Sequence, residues 1–282
     1  MKTYIDCYPC ILRQAVEAAR MAKATPSQEH EIVLKALDIL RFLPEGTTPP
    51  AIGTQVHRIV REITGIQDPY AEVKQEATVK VVSMLPKLQK IIDSSDDRLE
   101  TALRLSIAGN IMDFGPNPNY DLWEIIQKAL TQDIAVNDLP ILRERLGTAE
   151  SILFLGDNVG EHVFDKLLIK ELPLPVTYVV RGDAVLNDVT LKDAQAVGLD
   201  KVAKIVDNGA RVPGTILSKC SKEFRERFND ADLILAKGMG NYETLSEVKA
   251  PIFFLFQVKC PIIGLDIDAP TGSTVVKKGM GG

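Results

Sequence analysis

Five short apolar runs in the second half of the chain constrain its fold more than any other feature. They read SILFLGDN, VTYVVRG, KIVDNG, DLILAKG and IFFLFQV, and four of them end in glycine or other turn-forming polar residues. The stretches between them, roughly residues 161–172, 190–197, 218–228 and 242–248, have helical length and mixed polarity. Short buried strands alternating with helices give a parallel sheet covered on both faces. A Rossmann-like α/β architecture is therefore expected for residues 147–282.

Residues 1–146 read differently, as a helical N-terminal subdomain. Ile11, Ala15, Ala18 and Ala22 recur at helical spacing. Thr48 before Pro49 and Pro50, and Asp68 before Pro69, are helix-start signals. They predict helices from Pro49 and over roughly 70–92, with two more at roughly 97–112 and 122–131. GPNPNYD, from Gly115 to Asp121, reads as a loop. The stretch 139–149 lacks the composition of a flexible linker, so the two parts can form one continuous unit.

Composition narrows the function classes. The chain has 282 residues, a formal net charge of −5 and a pI near 5.4. An acidic chain lacks the basic surface of bulk nucleic-acid binding. No stretch approaches the roughly 20 apolar residues of a membrane span, and the N-terminus lacks a signal-peptide core. The expected location is the cytoplasm, where Cys7, Cys10, Cys220 and Cys260 stay reduced.

Open parallel sheets bind ligands beyond the carboxyl ends of their strands. There the sequence places Asp157-Asn158, then Arg181-Gly182 with Asn187-Asp188, then Asp207-Asn208-Gly209, then Lys237-Gly238-Met239-Gly240-Asn241. Asp157, Asn158 and Asp188 offer three hard oxygen donors, which suit Mg²⁺ or Mn²⁺, with Ni²⁺ or Co²⁺ as further candidates. The plainer reading makes each of them a helix N-cap. Lys237, Gly238 and Asn241 precede or open a helix, a setting that cradles phosphate as readily as it makes a solvated turn. Asn110 and Asp113 can reach the same site from the helical part, or simply end a helix. Asp193 and Glu161 are candidates for orienting a water. Cys7 and Cys10 form a single CxxC, compatible with half a metal site, a redox pair or two small core residues.

Taken together, GNIMDFG, GDNVGEHVFD, RGDAVLNDVTLKDA, DNGARVPG and AKGMGNYETL resemble the damage-control phosphatases, the domain-of-unknown-function-89 family. DCYPCILRQ and DPYAEVKQ look like its prokaryotic branch, which carries an N-terminal CxxC. The resemblance covers nearly the whole chain. It implies a three-layer α/β/α sandwich and a metal-dependent phosphoric monoester hydrolase acting on sugar phosphates or related damaged metabolites. It makes Asp157, Asn158 and Asp188 the metal ligands, and it lines the substrate and phosphate pocket with Lys237 and Asn110. It gives the cysteine pair no role and leaves the oligomeric state open. The alternatives are a non-catalytic phosphometabolite-binding protein and a cysteine-based metal or redox protein.

Overall fold

The computed structural model describes residues 1–109 and 122–281 and is organised around a seven-stranded sheet. Its strands are β1 (Ile134–Asn137), β2 (Ile152–Leu155), β3 (Val176–Val180), β4 (Lys204–Asp207), β5 (Ile234–Lys237), β6 (Ile252–Gln257) and β7 (Thr274–Lys278). They lie in the order β1-β7-β6-β5-β2-β3-β4. The five apolar runs form β2 to β6, all parallel to one another. β7 runs antiparallel to β6, and β1 pairs parallel with β7.

Chain order and spatial order reverse once. From β2 the chain moves outward through β3 to β4, then returns to β5 on the other side of β2. The switch point of the sheet therefore lies between β2 and β5, where ligands of open α/β sheets bind.

Period-2 alternation divides the sheet's side chains between two cores. On one face Ile152, Phe154, Tyr178, Leu235, Phe253 and Leu255 pack under α4 (Ala71–Asp93), α5 (Arg98–Gly109) and α8 (Glu161–Glu171). On the other Leu153, Leu155, Ile234, Ala236, Phe254 and Phe256 pack under α10 (Lys222–Asn229), α11 (Gly238–Leu245) and α12 (Pro261–Ile267). This is a three-layer sandwich. A third core holds α1 (Cys7–Met21), α2 (Pro26–Arg41) and α3 (Pro49–Thr64) together through Ile11, Ala15, Ala18, Ile32, Ala36 and Val56. None of the described helices is long and apolar enough to cross a membrane.

Three differences from the sequence reading have local causes. α2, which the sequence reading does not single out, starts with a Thr25–Gln28 capping box and Pro26. β1 supplies a strand from the stretch read as helical up to Leu146, between α6 (Leu122–Thr131) and α7 (Leu139–Leu146). Its four residues, IAVN, are too few to show a period. α12 and β7 follow the last apolar run, in a stretch to which the reading assigned no elements.

α3 carries a buried titratable group. His57 is 2% exposed, its Nε2 has no hydrogen-bond partner among the described residues, and burial with Arg61 nearby lowers its pKa to about 4. The unfolded chain takes up that proton near pH 6.5 while the folded one resists it, so His57 subtracts stability as pH falls from about 6.5 towards 4, by up to ~3 kcal/mol. Glu161, raised to about 7, contributes in the opposite sense over part of that window. The expected result is therefore read as a difference. The melting temperature of His57→Phe minus that of wild type should grow as pH is lowered from 7 to 5. A constant difference would show that His57 does not titrate in this way.

Candidate active site

The site is built at the switch point. β2 ends at Leu155 and is followed by Gly156, Asp157 and Asn158; Gly156 is required there because a Cβ would overlap the ring and hydroxyl of Tyr178. The loop after β3 folds back on this segment. Asn158 and Asp188 form an isolated antiparallel bridge, Val189 N–H donates to Asp157 O at 2.8 Å, and Val159 N–H donates to Asn187 O at 2.8 Å. Two segments some thirty residues apart are thus fixed side by side by backbone hydrogen bonds. The bridge brings the Asp157 and Asp188 carboxyls and the Asn158 amide to one end of the sheet.

Arg181 lies beneath them. Its Nε donates to Asp188 Oδ2 at 2.6 Å, and its Nη2 stands 3.6 Å from Asp157 Oδ1. Burial raises the Asp188 carboxyl, and the facing Arg181 partly offsets that. Asn158 Nδ2 donates to Asp157 Oδ2 at 2.9 Å, which leaves its Oδ1 for other partners. Across the switch point Gly238 sits at φ +76°, and a Cβ there would overlap the Asp157 carboxylate. Only glycine accommodates both the left-handed backbone and the close approach.

Lys237 is placed otherwise than its sequence reading suggested. It follows Leu235 by two residues, so its side chain enters the core under α5 and α8 instead of leaving the strand end. It is fully buried, and its Nζ donates to Glu161 Oε1 (2.5 Å), Ser106 Oγ (2.7 Å), Asp165 Oδ1 (2.8 Å) and Ser106 O (2.9 Å). An ammonium has three hydrogens, so this one is saturated by the protein. Burial alone would lower its pKa, but Asp165 and Glu161 outweigh it and raise it above the ordinary value. Tyr178 closes the cluster, donating to Asp165 Oδ2 at 2.8 Å.

Asn241 is likewise engaged by the protein. Its Nδ2 donates to Lys237 O and Gly156 O, and its Oδ1 accepts from Thr215 Oγ1. It braces the ends of β2 and β5 against the loop carrying Thr215. In this arrangement neither Lys237 nor Asn241 presents a donor to a phosphate, and Gly238 is the member of the proposed cradle that borders Asp157 directly. Asn110 and Asp113 lie outside the described residues.

Of the two candidates for orienting a water, Glu161 is at the site and Asp193 is not. Glu161 Oε2 accepts from Asn158 N–H at 3.4 Å, and burial lifts its carboxyl to about 7 against the pull of Lys237, with Asp165 and Asp157 adding to the rise. Asp193 instead caps α9 (Leu191–Ala196) through Thr190 and pairs with the buried Lys74 of α4 at 3.2 Å. His162 is structural too. Its Nδ1 accepts from Gly160 N–H, so Nε2 carries the proton and donates to Asp193 O, and burial lowers its pKa to about 4.

Sequence reasoning missed Ser106, Asp165, Tyr178 and the contacts of Arg181 with Asp157 and Asp188. The signals were present. Glu161 and Asp165 stand four apart on a helix, which puts two carboxylates on one face, and Lys237 shares the parity of Leu235.

The residues fit a divalent cation in two respects. Two carboxylates and an amide oxygen are hard donors. Four carboxylates, Asp157, Glu161, Asp165 and Asp188, gather around Lys237 and Arg181, an excess of negative charge that a bound cation would offset. Among the described residues no three His, Cys, Asp or Glu side chains converge as a metal cage, around the cysteines or elsewhere.

Residues 3–275 match the family model described as the damage-control phosphatase ARMT1-like domain. Among curated proteins, the chain is 34% identical to damage-control phosphatase PH1575 of Pyrococcus horikoshii, over 98% of this chain and 97% of that one. It is 33% identical to a damage-control phosphatase of Archaeoglobus fulgidus, over 98% and 99%. The crystal structure of the Pyrococcus horikoshii DUF89-family protein superposes with a TM-score of 0.88 at 31% identity, covering 99% of each chain. The protein belongs to the damage-control phosphatase ARMT1-like family.

Proposed function

We propose that the chain is a divalent-metal-dependent phosphatase that hydrolyses phosphate monoesters of small, damaged metabolites, sugar phosphates among them. The observation that carries this reading is the Asn158–Asp188 bridge, which gathers Asp157, Asn158 and Asp188 at the switch point of the sheet. The phosphatase names of the relatives support the same reaction class.

In this reading Asp157, Asn158 and Asp188 hold the ion. When bound, it supplies Lewis acidity towards a phosphoryl oxygen and offsets charge on it. Arg181 keeps the two aspartates in register from below. Glu161, anchored by Lys237, keeps its carboxyl against the Asn158 amide, where it can hold a proton near neutral pH. Gly238 keeps the opening of α11 close to Asp157, and the start of a helix favours an anion.

The test is phosphate release from sugar phosphates and an aryl phosphate, with Mn²⁺, Mg²⁺, Co²⁺ or Ni²⁺ supplied after chelation. Release should require added metal. Equal release after exhaustive chelation would sink the metal assignment, and binding without turnover of any ester would favour a phosphometabolite-binding protein. A second expectation concerns Gly238→Ala. A left-handed alanine costs roughly 1–2 kcal/mol, and the new methyl group displaces the Asp157 carboxylate. Mn²⁺ affinity by calorimetry should fall at least tenfold, together with a lower melting temperature. Wild-type Mn²⁺ affinity would mean that Asp157 is not a ligand.

A further inference from the structure

With Lys237 and Asn241 saturated by the protein, the side chains that meet phosphoryl oxygens must lie elsewhere. Three buried donors near the candidate ligands have no hydrogen-bond acceptor among the described residues: Nη1 and Nη2 of Arg181 and Nδ2 of Asn208. Arg181 is 1% exposed and Asn208 0%. An orphaned buried donor costs about 1–3 kcal/mol, more when charged, so groups of this kind call for an explanation in the working state.

The Asn208 amide cannot be turned to remove the problem. Its Oδ1 accepts from Gly182 N–H (3.2 Å) and Ala210 N–H (3.0 Å), and a flip would set its NH₂ against two N–H donors. Arg181 spends Nε on Asp188, and its Nη2 is too far from Asp157 for a hydrogen bond. The two residues are neighbours. Val180 of β3 pairs with Asp207 of β4, and Arg181 and Asn208 are the next residues on each strand. Gly182 lets the two strand ends close up, since a Cβ there would lie 2.7 Å from the Gly209 carbonyl carbon and 2.8 Å from Ala210 N.

Three unmet donors and one positive charge complement an oxyanion. We propose that Arg181 and Asn208 form the subsite for a phosphoryl oxygen of the substrate, next to the ion held by Asp157, Asn158 and Asp188; this rests on the phosphatase reading. Asp157 and Asp188 repel an anion at that place, so the subsite fills only when a divalent cation is present. The anion reaches it past Asp157, whose side chain keeps 11% of its surface exposed. Arg181 then has two tasks, bracing the aspartates through Nε and gripping the anion through Nη1 and Nη2.

The probe is inorganic phosphate, titrated calorimetrically into the protein with and without saturating Mn²⁺. Wild type should bind phosphate at least tenfold more tightly with Mn²⁺. Asn208→Asp keeps the acceptor for Gly182 and Ala210 and replaces the orphaned donor by a carboxylate oxygen. It should weaken phosphate binding at least tenfold without lowering Mn²⁺ affinity. Asn208→Ser is a neutral second variant with the same expected loss, and melting curves confirm that each is folded. Phosphate affinity unchanged in the folded variants, or absent in wild type with Mn²⁺, would overturn the subsite and leave buried water as the acceptor. The two readings fail separately. Ester turnover alongside unchanged phosphate affinity in the variants removes the subsite alone. Phosphate binding that the variants lose, with no ester cleaved by wild type, removes the phosphatase and keeps the subsite.

Discussion

Lys237→Met should lower the melting temperature by about 10 °C, the largest loss of stability expected from any single change near the site. The substitution keeps the length of the side chain and removes its charge. It leaves Glu161 and Asp165 buried together, both fully enclosed, with no cation between them. Breaking a buried ion pair from one side costs about 3–5 kcal/mol, and each kcal/mol is worth roughly 2–4 °C in a domain of this size. The loss should shrink in Lys237→Met combined with Asp165→Asn, because the second change removes one of the stranded charges. Thermal melts of the two single variants and the double variant measure that coupling. A stability loss in Lys237→Met below about 1 kcal/mol, accompanied by a large rise in KM, would return the lysine to the phosphate-binding role first read for it.

That reversal shows where sequence reasoning works and where it stops. The parallel sheet was legible because five apolar runs alternate with helix-length segments, and the backbone alone satisfies such a pattern. The placing of Asp157, Asn158 and Asp188 was legible because the carboxyl edge of a sheet is a geometric consequence of strand direction. Lys237 also lies at that edge, but its destination depends on side-chain parity along β5 and on which helix covers that face. Parity was there to read from Leu235. The helices that cover the face were not, since α5 comes from the N-terminal part of the chain. Ser106 and Asp165 became visible only once α5 packed along α8. The same limit applies to Asp193, whose carboxylate is diverted into capping α9 and into a contact with Lys74 from a helix more than a hundred residues earlier. Local chemistry could have named the cap, while the lysine is a product of tertiary packing.

Asp157→Asn should separate function from stability. Phosphate release should fall by about a hundred- to a thousandfold, the scale reached when a preorganised group acting on developing charge is removed. The fold should not suffer. Asp157 O still accepts from Val189 N–H, the side chain keeps its shape beside Gly238, and Arg181 keeps its short contact with Asp188. Asp157 is one of the charges that push Glu161 upward, so its removal relieves repulsion within the buried cluster. The metal-free variant should therefore melt at the wild-type temperature or above it, the usual relation when a site is built for binding at the expense of stability. Added Mn²⁺ should then stabilise wild type by about 2.7 kcal/mol at a hundredfold excess over its dissociation constant, and leave the variant unmoved. A variant that still gains from Mn²⁺ would remove Asp157 from the ligand set. A metal-free variant that melts several degrees lower would make its carboxylate an anchor for Arg181, with stability as its main task.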